Sequence, residues 1–576
     1  MIYQNMIIVG GGLAGLRAAI AVNQNNVSVG LISKVHPVRS HSGQAQGGIN
    51  AAMGAHVRGA NDSYETHAFD TVKGSDYLAD QDAVMKMVKD APLRIIEMEH
   101  WGCPFSRTPD GRIAQRPFGG AGFPRTCYAA DITGHALLHT LYEQVVKFEL
   151  SAEREQMKFY DEWFVISLIV EEGVARGVIA MEMTSGRIEE FHADAVIFAT
   201  GGAGRIYGKT TNAHINTGMG MAIPYWAGAS LKDMEFIQFH PTTLYGTNIL
   251  MTEGCRGEGG FLIDKDGNRF LANYEDSRKA MEVAPRDIVS RNMRKEILAG
   301  RGFENAYLGL DLRHLGEDKI NERLPGIREI AIKFANCDPV KDLLPVIPAQ
   351  HYTMGGINCD SNGASSSIKG LYAAGEGACV SVHGANRLGG NSLLETIVYG
   401  EITGRSAAEY VFNGQVSRRS EAVIRDARKK ADEWIASLYA PGTGEKYGVL
   451  KSELNETMDE NVGIFREKEG LTHALEKVRE LKNRYKKLRL TGGKKTLNFD
   501  LMWALELKGN IDVAEVIIAG ALAREESRGS QSRLDFPGRN DEKWLKHTVA
   551  CYTEDGPRLE YKDVTLGLWE PKERKY

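Results

Sequence analysis

A glycine-rich turn near the start of the chain restricts the fold more than any other feature. The apolar segment Met6–Val9 leads into Gly10-x-Gly12-x-x-Gly15, a helical pattern follows, and a second apolar segment spans residues 27–32. The first glycine allows the tight turn, the second lets the backbone approach a pyrophosphate, and the third lets helix and strand pack closely. This strand–turn–helix–strand order predicts a Rossmann-like dinucleotide-binding unit.

Two further strand-and-glycine segments indicate that this unit is assembled from separate pieces. One covers residues 195–202, at the end of a β-rich region that begins near Phe159, and the other covers residues 370–376. We therefore predict an α/β protein whose nucleotide-binding domain consists of residues 1–235 and 350–414. Residues 236–349 are then an inserted α+β capping domain.

The remainder of the chain has the pattern of packed helices. Apolar residues recur at spacings of three and four, which is typical of a bundle helix with one buried face: Leu471, Leu475, Val478, Leu481, Tyr485 and Leu488. We predict a helical bundle domain over residues 415–543. From about Trp544 the sequence becomes polar, and residues 544–576 are predicted to form a small irregular C-terminal region.

Composition and charge are those of an ordinary globular protein. The chain has 576 residues, of which 43% are hydrophobic and 25% are charged, and its formal net charge is −5. Nucleic-acid-binding proteins usually carry a basic surface, so this balance argues against a nucleic-acid partner. The sequence has no run of about 18 apolar residues and no signal-peptide pattern, so we expect neither a membrane span nor a signal peptide on this chain.

The cysteines are scattered rather than grouped. The seven are Cys103, Cys127, Cys255, Cys337, Cys359, Cys379 and Cys551. Their odd number and the absence of any C-x-x-C pair argue against a disulfide framework, a zinc site or a protein-held iron–sulfur cluster. We expect no metal site, and a reducing compartment fits best.

The residues around the fingerprint indicate which dinucleotide binds. A simple NAD site has an acidic residue at the end of the second strand, whereas this chain has Ser33-Lys34, so hydroxyl and backbone groups must hold the ribose. The loop at residues 40–48, SHSGQAQGG, contains small residues that can wrap a flat ring. Its His41 is a candidate for a covalent flavin anchor, although a lone loop histidine is more often a bystander. Glu376 ends a segment like the second contact strand of two-piece FAD folds.

Motifs along the whole chain resemble those of the flavoprotein subunit of the succinate dehydrogenase/fumarate reductase family. They occur in the right order: residues 10–15, 39–42 (RSHS), 46–50, 239–242 (FHPT), 252–260 (TEGCRGEGG), 285–287 (PRD), 351–356 (HYTMGG), 383–392 (HGANRLGGNS), 526–529 (ESRG) and 544–548 (WLKHT). One stretch departs from the family pattern. The family commonly has an aspartate after Asn212-Ala213-His214, and residues 216–220 (NTGMG) lack it and look shortened.

The resemblance implies FAD bound covalently through its 8α-methyl carbon to His41. Such a link generally raises the reduction potential of a flavin, which favours exchange of two electrons with a C–C single or double bond. The cofactor contacts that we predict from the fingerprint, the loop and the resemblance are His41, Gly10, Gly11, Gly12, Ala14, Gly15, Ser33, Lys34, Ser40, Ser42, Gln46, Gly47, Gly48, Gly201, Glu376, Arg387, Ser392 and Leu393.

The inserted domain contains the groups that a dicarboxylate needs. Two carboxylates beside a flavin must meet cations and strong donors, because burying them alone costs several kcal/mol or more. Each candidate neighbours a turn residue, so we expect each on a loop: Arg256, Arg286, Arg387, His240 and His351. Arginine suits a carboxylate because its planar fork binds both oxygens, but any single arginine is more often an ordinary ion-pair partner.

The resemblance assigns the remaining roles. It implies that Arg286 donates or removes the proton, that Glu253 and Arg256 relay it, and that His240, Thr252, His351 and Arg387 hold the carboxylates. An arginine acid requires its pKa to be lowered, for instance by a cationic cluster. Glu253 has a simpler alternative role, as the salt-bridge partner of Arg256. Cys255 lies among positive charges that are expected to lower its pKa, but hydride transfer gives it no catalytic role.

The chain needs partners, because we find no second redox centre in it. The resemblance implies an iron–sulfur subunit and a membrane anchor with a quinone site, which would hold this chain on the cytoplasmic face of the inner (cell) membrane. Both directions of fumarate–succinate interconversion would use the same residues. The alternatives are an L-aspartate oxidase with noncovalent FAD, a flavin- and tRNA-binding modification protein, and a non-catalytic FAD scaffold. His41 argues against the aspartate oxidase, and the acidic net charge argues against the tRNA-binding protein. The pair of Arg286 and Glu253 argues against a non-catalytic scaffold.

Overall fold

A five-stranded parallel sheet forms the centre of the nucleotide-binding unit. The computed structural model describes residues 2–151, 156–414, 421–490 and 496–575. The sheet places Met6–Val9 between Ala195–Phe198 and Val29–Ser33, with Leu371–Ala373 and Met157–Asp161 at its edges. Its three inner strands are fully buried, which explains their continuous apolar sequences.

The downstream piece joins the first by helix packing as well as by its strand. Helix Asn391–Phe412 lies against helix Leu13–Gln24. Gly404 permits the close approach, because a Cβ there would lie 2.6 Å from the carbonyl oxygen of Ala18. The two-piece architecture predicted from the three strand-and-glycine segments is therefore confirmed.

The inserted segment has its own sheet and its own core. Strands Phe261–Ile263, Leu308–Asp311, Leu344–Thr353 and Ile237–Leu244 pair antiparallel in that order. Helix Arg286–Leu298 packs on this sheet, and the apolar residues between positions 244 and 346 form a hydrophobic cluster separate from the main core. The α+β character of the insertion is confirmed, whereas the domain bounds given above stay predictions.

Helices dominate after the second piece. The predicted apolar face lies on helix Lys468–Tyr485, where Leu471, Val478 and Leu481 are buried; Leu488 is also buried, but it follows the end of the helix. Helix Phe499–Ala523 packs against this helix and is largely buried. Residues 415–420, where the helical domain is predicted to begin, lie outside the described residues.

The prediction of an irregular C-terminal region is wrong for the two segments 546–551 and 558–563. Strands Lys546–Cys551 and Arg558–Asp563 extend a sheet that also contains Leu231–Lys232, Gly356–Asn358 and Ala378–Cys379. The last strand is an exposed edge, and its charged sequence hid the apolar alternation that half-buried strands show.

The remaining bounds complete the description. The α-helices are Leu13–Gln24, Tyr64–Gly74, Gln81–His100, Thr133–Leu150, Met219–Trp226, Glu253–Gly257, Arg286–Leu298, Glu317–Arg323, Pro325–Ala335, Asn391–Phe412, Glu421–Leu438, Tyr447–Asn461, Lys468–Tyr485, Phe499–Ala523 and Asp541–Trp544. Strands outside the three sheets above are Ile2–Tyr3, Ile49–Asn50, Gln115–Arg116, Thr126–Cys127, Trp163–Glu171, Val174–Glu182 and Ile188–His192. Within the described residues, no helix combines the length and apolar character that crossing a bilayer requires.

Candidate active site

One cavity of about 430 Å³ runs along the carboxyl ends of the central strands and reaches the inserted segment. The predicted cofactor contacts that line it are Gly10, Gly11, Gly12, Ala14, Ser33, Lys34, Ser40, His41, Ser42, Gln46, Gly47, Gly48, Gly201, Glu376, Arg387, Ser392 and Leu393. Gly15 is not among the lining residues. Its role is packing, because a Cβ there would lie 1.9 Å from the carbonyl oxygen of Gly10.

The fingerprint forms an open helix N-terminus at the cavity wall. Gly10 has a φ of +112°, which favours glycine, and Gly12 is the N-cap of helix Leu13–Gln24 without a side-chain cap. The Leu13 amide donates to the Ser42 hydroxyl at 3.2 Å, which ties the fingerprint to the His41 loop. Free amides and the helix dipole at this end suit a pyrophosphate.

His41 lies on a short 3-10 turn, His41–Gln44, with its ring in the cavity wall. The Ala213 amide donates to His41 Nδ1 at 3.3 Å. Burial lowers the pKa of His41 to about 4, and the charge of Arg205 adds to the effect. The ring is therefore neutral at physiological pH, and because Nδ1 accepts, Nε2 carries the ring proton.

Two arginines meet at the substrate end of the cavity. Arg286 Nη1 and Arg387 Nη2 both donate to Gln238 Oε1, at 3.2 and 3.0 Å. The guanidinium of Arg387 also lies 4.3 Å from the ring centre of Tyr352. Burial lowers the pKa of Arg387 to about 10, and the neighbouring Arg286 adds to this. Like charges are thus held side by side in a buried site.

Two histidines complete the walls of this pocket. The rings of His240 and His351 are 5.0 Å apart and meet edge to face. Burial, and then the charge of Arg286, hold the pKa of both well below the usual range, so both are neutral donors and acceptors. Thr252 also lines the cavity, and its hydroxyl caps the helix Glu253–Gly257 by accepting from the Gly254 amide at 3.2 Å.

Glu253 is the carboxylate at the centre of the cluster. It pairs with Arg286, with Oε2 2.6 Å from Nη2 and 2.7 Å from Nε, and it accepts from the Gly119 amide at 2.6 Å. Burial raises the pKa of Glu253, but Arg286 and Arg256 outweigh burial and hold it below its usual range. Its closest strong pair is thus Arg286, and the Arg256 guanidinium lies 4.0 Å away.

Arg256 lies behind this pocket rather than in its wall. Its Nη1 donates to the Glu282 carbonyl, while Nε and Nη2 are buried without a protein hydrogen-bond partner. Arg387 Nε is in the same condition. Buried donors of this kind are costly unless something accepts from them. The unmatched donor of Arg387, which lines the cavity, therefore suits an anionic ligand.

The prediction that the five cationic candidates sit on loops is wrong for four of them. His240 and His351 lie on strands, Arg256 on a short helix and Arg286 at the first turn of a helix, while Arg387 is in a loop. Gln350 and Tyr352 pair with consecutive residues of the opposite strand, so His351 is the extra residue of a bulge. Bulges re-aim side chains toward sites, which explains the turn-like sequence around strand residues.

The predicted lowering of the Cys255 pKa is also wrong. Its thiol is fully buried, and burial raises the pKa to about 12 despite the nearby positive charges. None of the described residues forms a group of three or more His, Cys, Asp or Glu placed to hold a metal ion.

Several residues of the site were not among the predicted contacts. Gln238 orients both arginines, Tyr352 supports one of them, and Phe118 and Glu506 line the cavity. Gln238 could have been found, since residues two apart on a strand share a face and His240 was already a candidate. Glu506 gave no such indication.

Comparison with known proteins agrees with this geometry. Residues 5–393 match the model of the FAD binding domain, and residues 451–576 match that of the fumarate reductase flavoprotein C-terminus. The chain is 46% identical to a fumarate reductase flavoprotein subunit of Mycobacterium tuberculosis, covering 99% of each chain. It is 43% identical to that of Escherichia coli, covering 99% of this chain and 96% of the relative.

Solved structures indicate the same family. A mutant flavoprotein chain of E. coli quinol fumarate reductase superposes with a TM-score of 0.95 at 42% identity, covering 100% of this chain and 98% of the other. Adenylylsulfate reductase of Archaeoglobus fulgidus shares the fold, with a TM-score of 0.80 at 19% identity over 99% of this chain and 97% of the other. The expected resemblance is confirmed, and the chain belongs to the fumarate reductase/succinate dehydrogenase flavoprotein subunit family.

Proposed function

We propose that this chain interconverts fumarate and succinate at covalently bound FAD and exchanges electrons with membrane quinone through an iron–sulfur subunit. One observation carries the proposal: Arg286, Arg387, His240 and His351 line the same end of the cavity, and only Arg286 among them is paired directly with the carboxylate of Glu253. Unmatched buried charge costs several kcal/mol per ion. A dicarboxylate with two negative charges removes that cost, and relatives named for fumarate reductase have the same fold.

The carboxylates would be held by donors from different elements. Arg387 and His351 would take one carboxylate, and His240 with Thr252 would take the other, since all four line the same cavity. A neutral imidazole donates through one nitrogen, and an anion that binds beside it raises its pKa. The arginine fork adds orientation as well as attraction.

His41 would anchor the cofactor. The cavity wall contains the fingerprint glycines, the His41 loop and the downstream Glu376, which fits a dinucleotide with its ring system beside His41. Nδ1 accepts from the Ala213 amide, and a bond from FAD to Nε2, replacing the proton there, would leave that hydrogen bond intact. When bound, FAD supplies the two-electron hydride chemistry that no amino-acid side chain provides.

Arg286 would place the proton on the substrate carbon. It lies in the cavity wall and is hydrogen-bonded to Glu253, whose other neighbour is Arg256. A proton moving from Arg286 leaves a neutral guanidine, which Glu253 and Arg256 can resupply along the row. Gln238 fixes the direction of the Arg286 fork by accepting from Nη1. The burial of all three charged groups excludes water from this path.

The partners follow from the family. E. coli quinol fumarate reductase is among the structures that this chain resembles. We therefore propose an iron–sulfur subunit that accepts electrons from this chain, and a membrane anchor with a quinone site. The chain would be peripheral, held by these partners on the cytoplasmic face of the cell membrane.

The proposal is tested by detecting the covalent bond between FAD and His41 and by measuring how its loss affects each direction of the reaction. Wild-type protein resolved on a denaturing gel should show flavin fluorescence, and His41→Ser should lose that fluorescence while the folded protein still binds FAD. Succinate oxidation should be lost before fumarate reduction, because the noncovalent flavin has a lower potential. Equal loss in both directions would contradict this account, and an absorbance that responds to neither substrate would contradict the proposed activity.

A further inference from the structure

The adenosine end of the cofactor cavity lacks the acidic residue that Rossmann-like sites usually have. In such sites a carboxylate near the end of the second strand binds the ribose hydroxyls. Here strand Val29–Ser33 is followed by Lys34, and the Ser33 hydroxyl is used locally, donating to the Val35 carbonyl at 2.5 Å. The residues at 216–220 also lack an acid. The ribose therefore needs an acceptor from elsewhere.

A carboxylate from the helical region lies at this place. Glu506, on helix Phe499–Ala523, is part of the cavity wall, and its side chain is 7% exposed. Lys34 Nζ and the Thr217 hydroxyl, at 3.1 Å, both donate to Glu506 Oε1. The hydrogen bonds to Glu506 from described residues all end on Oε1. The carboxylate is thus held by one oxygen and presents the other.

Helix Phe499–Ala523 also holds the loop at residues 216–220, which contains no acidic residue. Asn510, one turn after Glu506, donates to the Thr217 carbonyl. Lys451 Nζ donates to Asn510 Oδ1 and to the Arg205 carbonyl, both at 2.6 Å. Helices of the predicted helical domain therefore close the adenosine end of the cavity and set the position of Glu506 relative to Lys34.

We propose that Glu506 is the ribose-binding carboxylate of the FAD site, accepting on Oε2 from the 2′- and 3′-hydroxyls of the adenosine half. The inference rests on FAD as the occupant of this cavity. It makes the helical region part of the cofactor site, with Lys34 as the positioning partner of Glu506. The rival role for Glu506 is charge neutralisation of Lys34 alone.

Binding to flavin-free protein distinguishes the two roles. The full-length chain carrying His41→Ser is made in a riboflavin-starved host, and its affinities for FAD and FMN are measured by fluorescence. Glu506→Gln should weaken FAD binding about tenfold to a hundredfold, the loss expected for hydrogen bonds to a charged acceptor. FMN binding should change less than twofold, because FMN has no adenosine half.

A matched control and a second background complete the test. Glu515 is a buried acid on the same helix, paired with Arg479 at 3.0 Å and Lys482 at 2.9 Å, and Glu515→Gln should leave both affinities unchanged. In a Lys34→Met background, the loss caused by Glu506→Gln should persist. Equal losses for FAD and FMN, or a loss that disappears with Lys34→Met, would overturn the proposal.

A measurement on unmutated flavin-free protein is independent of His41. It should bind ADP at least tenfold more tightly than 2′,3′-dideoxy-ADP, and Glu506→Gln should remove most of that preference. Equal binding of the two nucleotides would overturn the proposal even if the covalent link to His41 is correct. Conversely, flavin that remains covalent in His41→Ser would contradict the anchoring proposal and leave the ADP measurement unaffected.

Discussion

Two clusters of buried arginines lie in this molecule, and they differ in how completely their charge is matched. The substrate-end cluster contains Arg256, Arg286 and Arg387 around Glu253. The C-terminal ion-pair cluster contains Arg524 and Arg528, which bond to Glu235, Glu526 and Asp541 at 2.7 to 3.0 Å. In the first cluster only Arg286 forms a close ion pair with Glu253, whereas in the second Arg524 and Arg528 each pair with two carboxylates.

The hydrogen bonds show the same contrast. Every side-chain nitrogen of Arg524 and Arg528 donates to a protein oxygen, including the carbonyls of Trp544 and Asp76. In the substrate-end cluster, buried nitrogens of Arg256 and Arg387 have no protein acceptor. Both clusters belong to family motifs, so recurrence of a motif does not separate them. Incomplete matching of charge indicates a site for an anion, and complete matching indicates a role in holding the fold.

The largest effect should come from Arg286→Gln. Removing the proton donor should lower turnover on the order of 10⁴-fold, the upper range for loss of general acid catalysis. Flavin content and thermal stability should stay near wild type, since the cluster already has excess positive charge. Steady-state kinetics with flavin absorbance test this. Activity within tenfold of wild type would remove Arg286 as the donor.

Arg528→Gln should have the opposite profile. Removing Arg528 leaves Glu526 with Arg524 alone and Asp541 with Arg539 alone, and this partial loss of a buried ion-pair network should destabilise the fold by about 3 kcal/mol. Malonate affinity of the folded protein should change less than twofold. Denaturation midpoints and a malonate titration measure both effects. Unchanged stability together with weakened binding would reverse the assignment of the two clusters.

Arg387→Ala tests ligand binding by the substrate-end cluster, and its expected effect is smaller. The variant should bind malonate or oxaloacetate about tenfold to a hundredfold more weakly, because charge-assisted hydrogen bonds to a carboxylate are lost. Arg387→Lys should recover part of the affinity through charge but not through the two-pronged geometry. Isothermal titration measures the dissociation constants. An unchanged value for Arg387→Ala would relocate the carboxylate clamp.

The two clusters also show which features of the fold and the site can be predicted from the amino-acid sequence. Motif order predicts the two-piece fold and brings Arg286, His240 and His351 to one cavity, because short motifs encode the ends of strands and helices. Charge matching depends on residues far apart in the chain, and so does the ribose site, where Lys34 meets Glu506 472 residues later. Burial is equally nonlocal. It reverses the expected pKa shift of Cys255, whose sequence neighbours are charged.

The smallest effect on stability should come from a third buried ionic group, in which the charge of a histidine is also matched by carboxylates. His547, on strand Lys546–Cys551, lies 2.6 Å from Asp233 Oδ2 and 3.2 Å from Asp80 Oδ1. Burial alone would lower the pKa of His547, but Asp233 and Asp80 raise it to about 8. The sequence motif at residues 544–548 therefore contains a buried cation that joins the C-terminal strand to the nucleotide-binding unit.

Its contribution to stability should depend on pH in a defined direction. The folded pKa of about 8 exceeds the unfolded value, so the stabilisation is fully present below the unfolded pKa of about 6.5 and is lost as pH rises through about 8. The shift corresponds to about 2 kcal/mol. The stability difference between wild type and His547→Gln, measured by chemical denaturation, should therefore shrink by that amount from pH 6 to pH 9. A difference that does not change with pH would mean that His547 is neutral in the folded protein and that this cluster is not charge-matched.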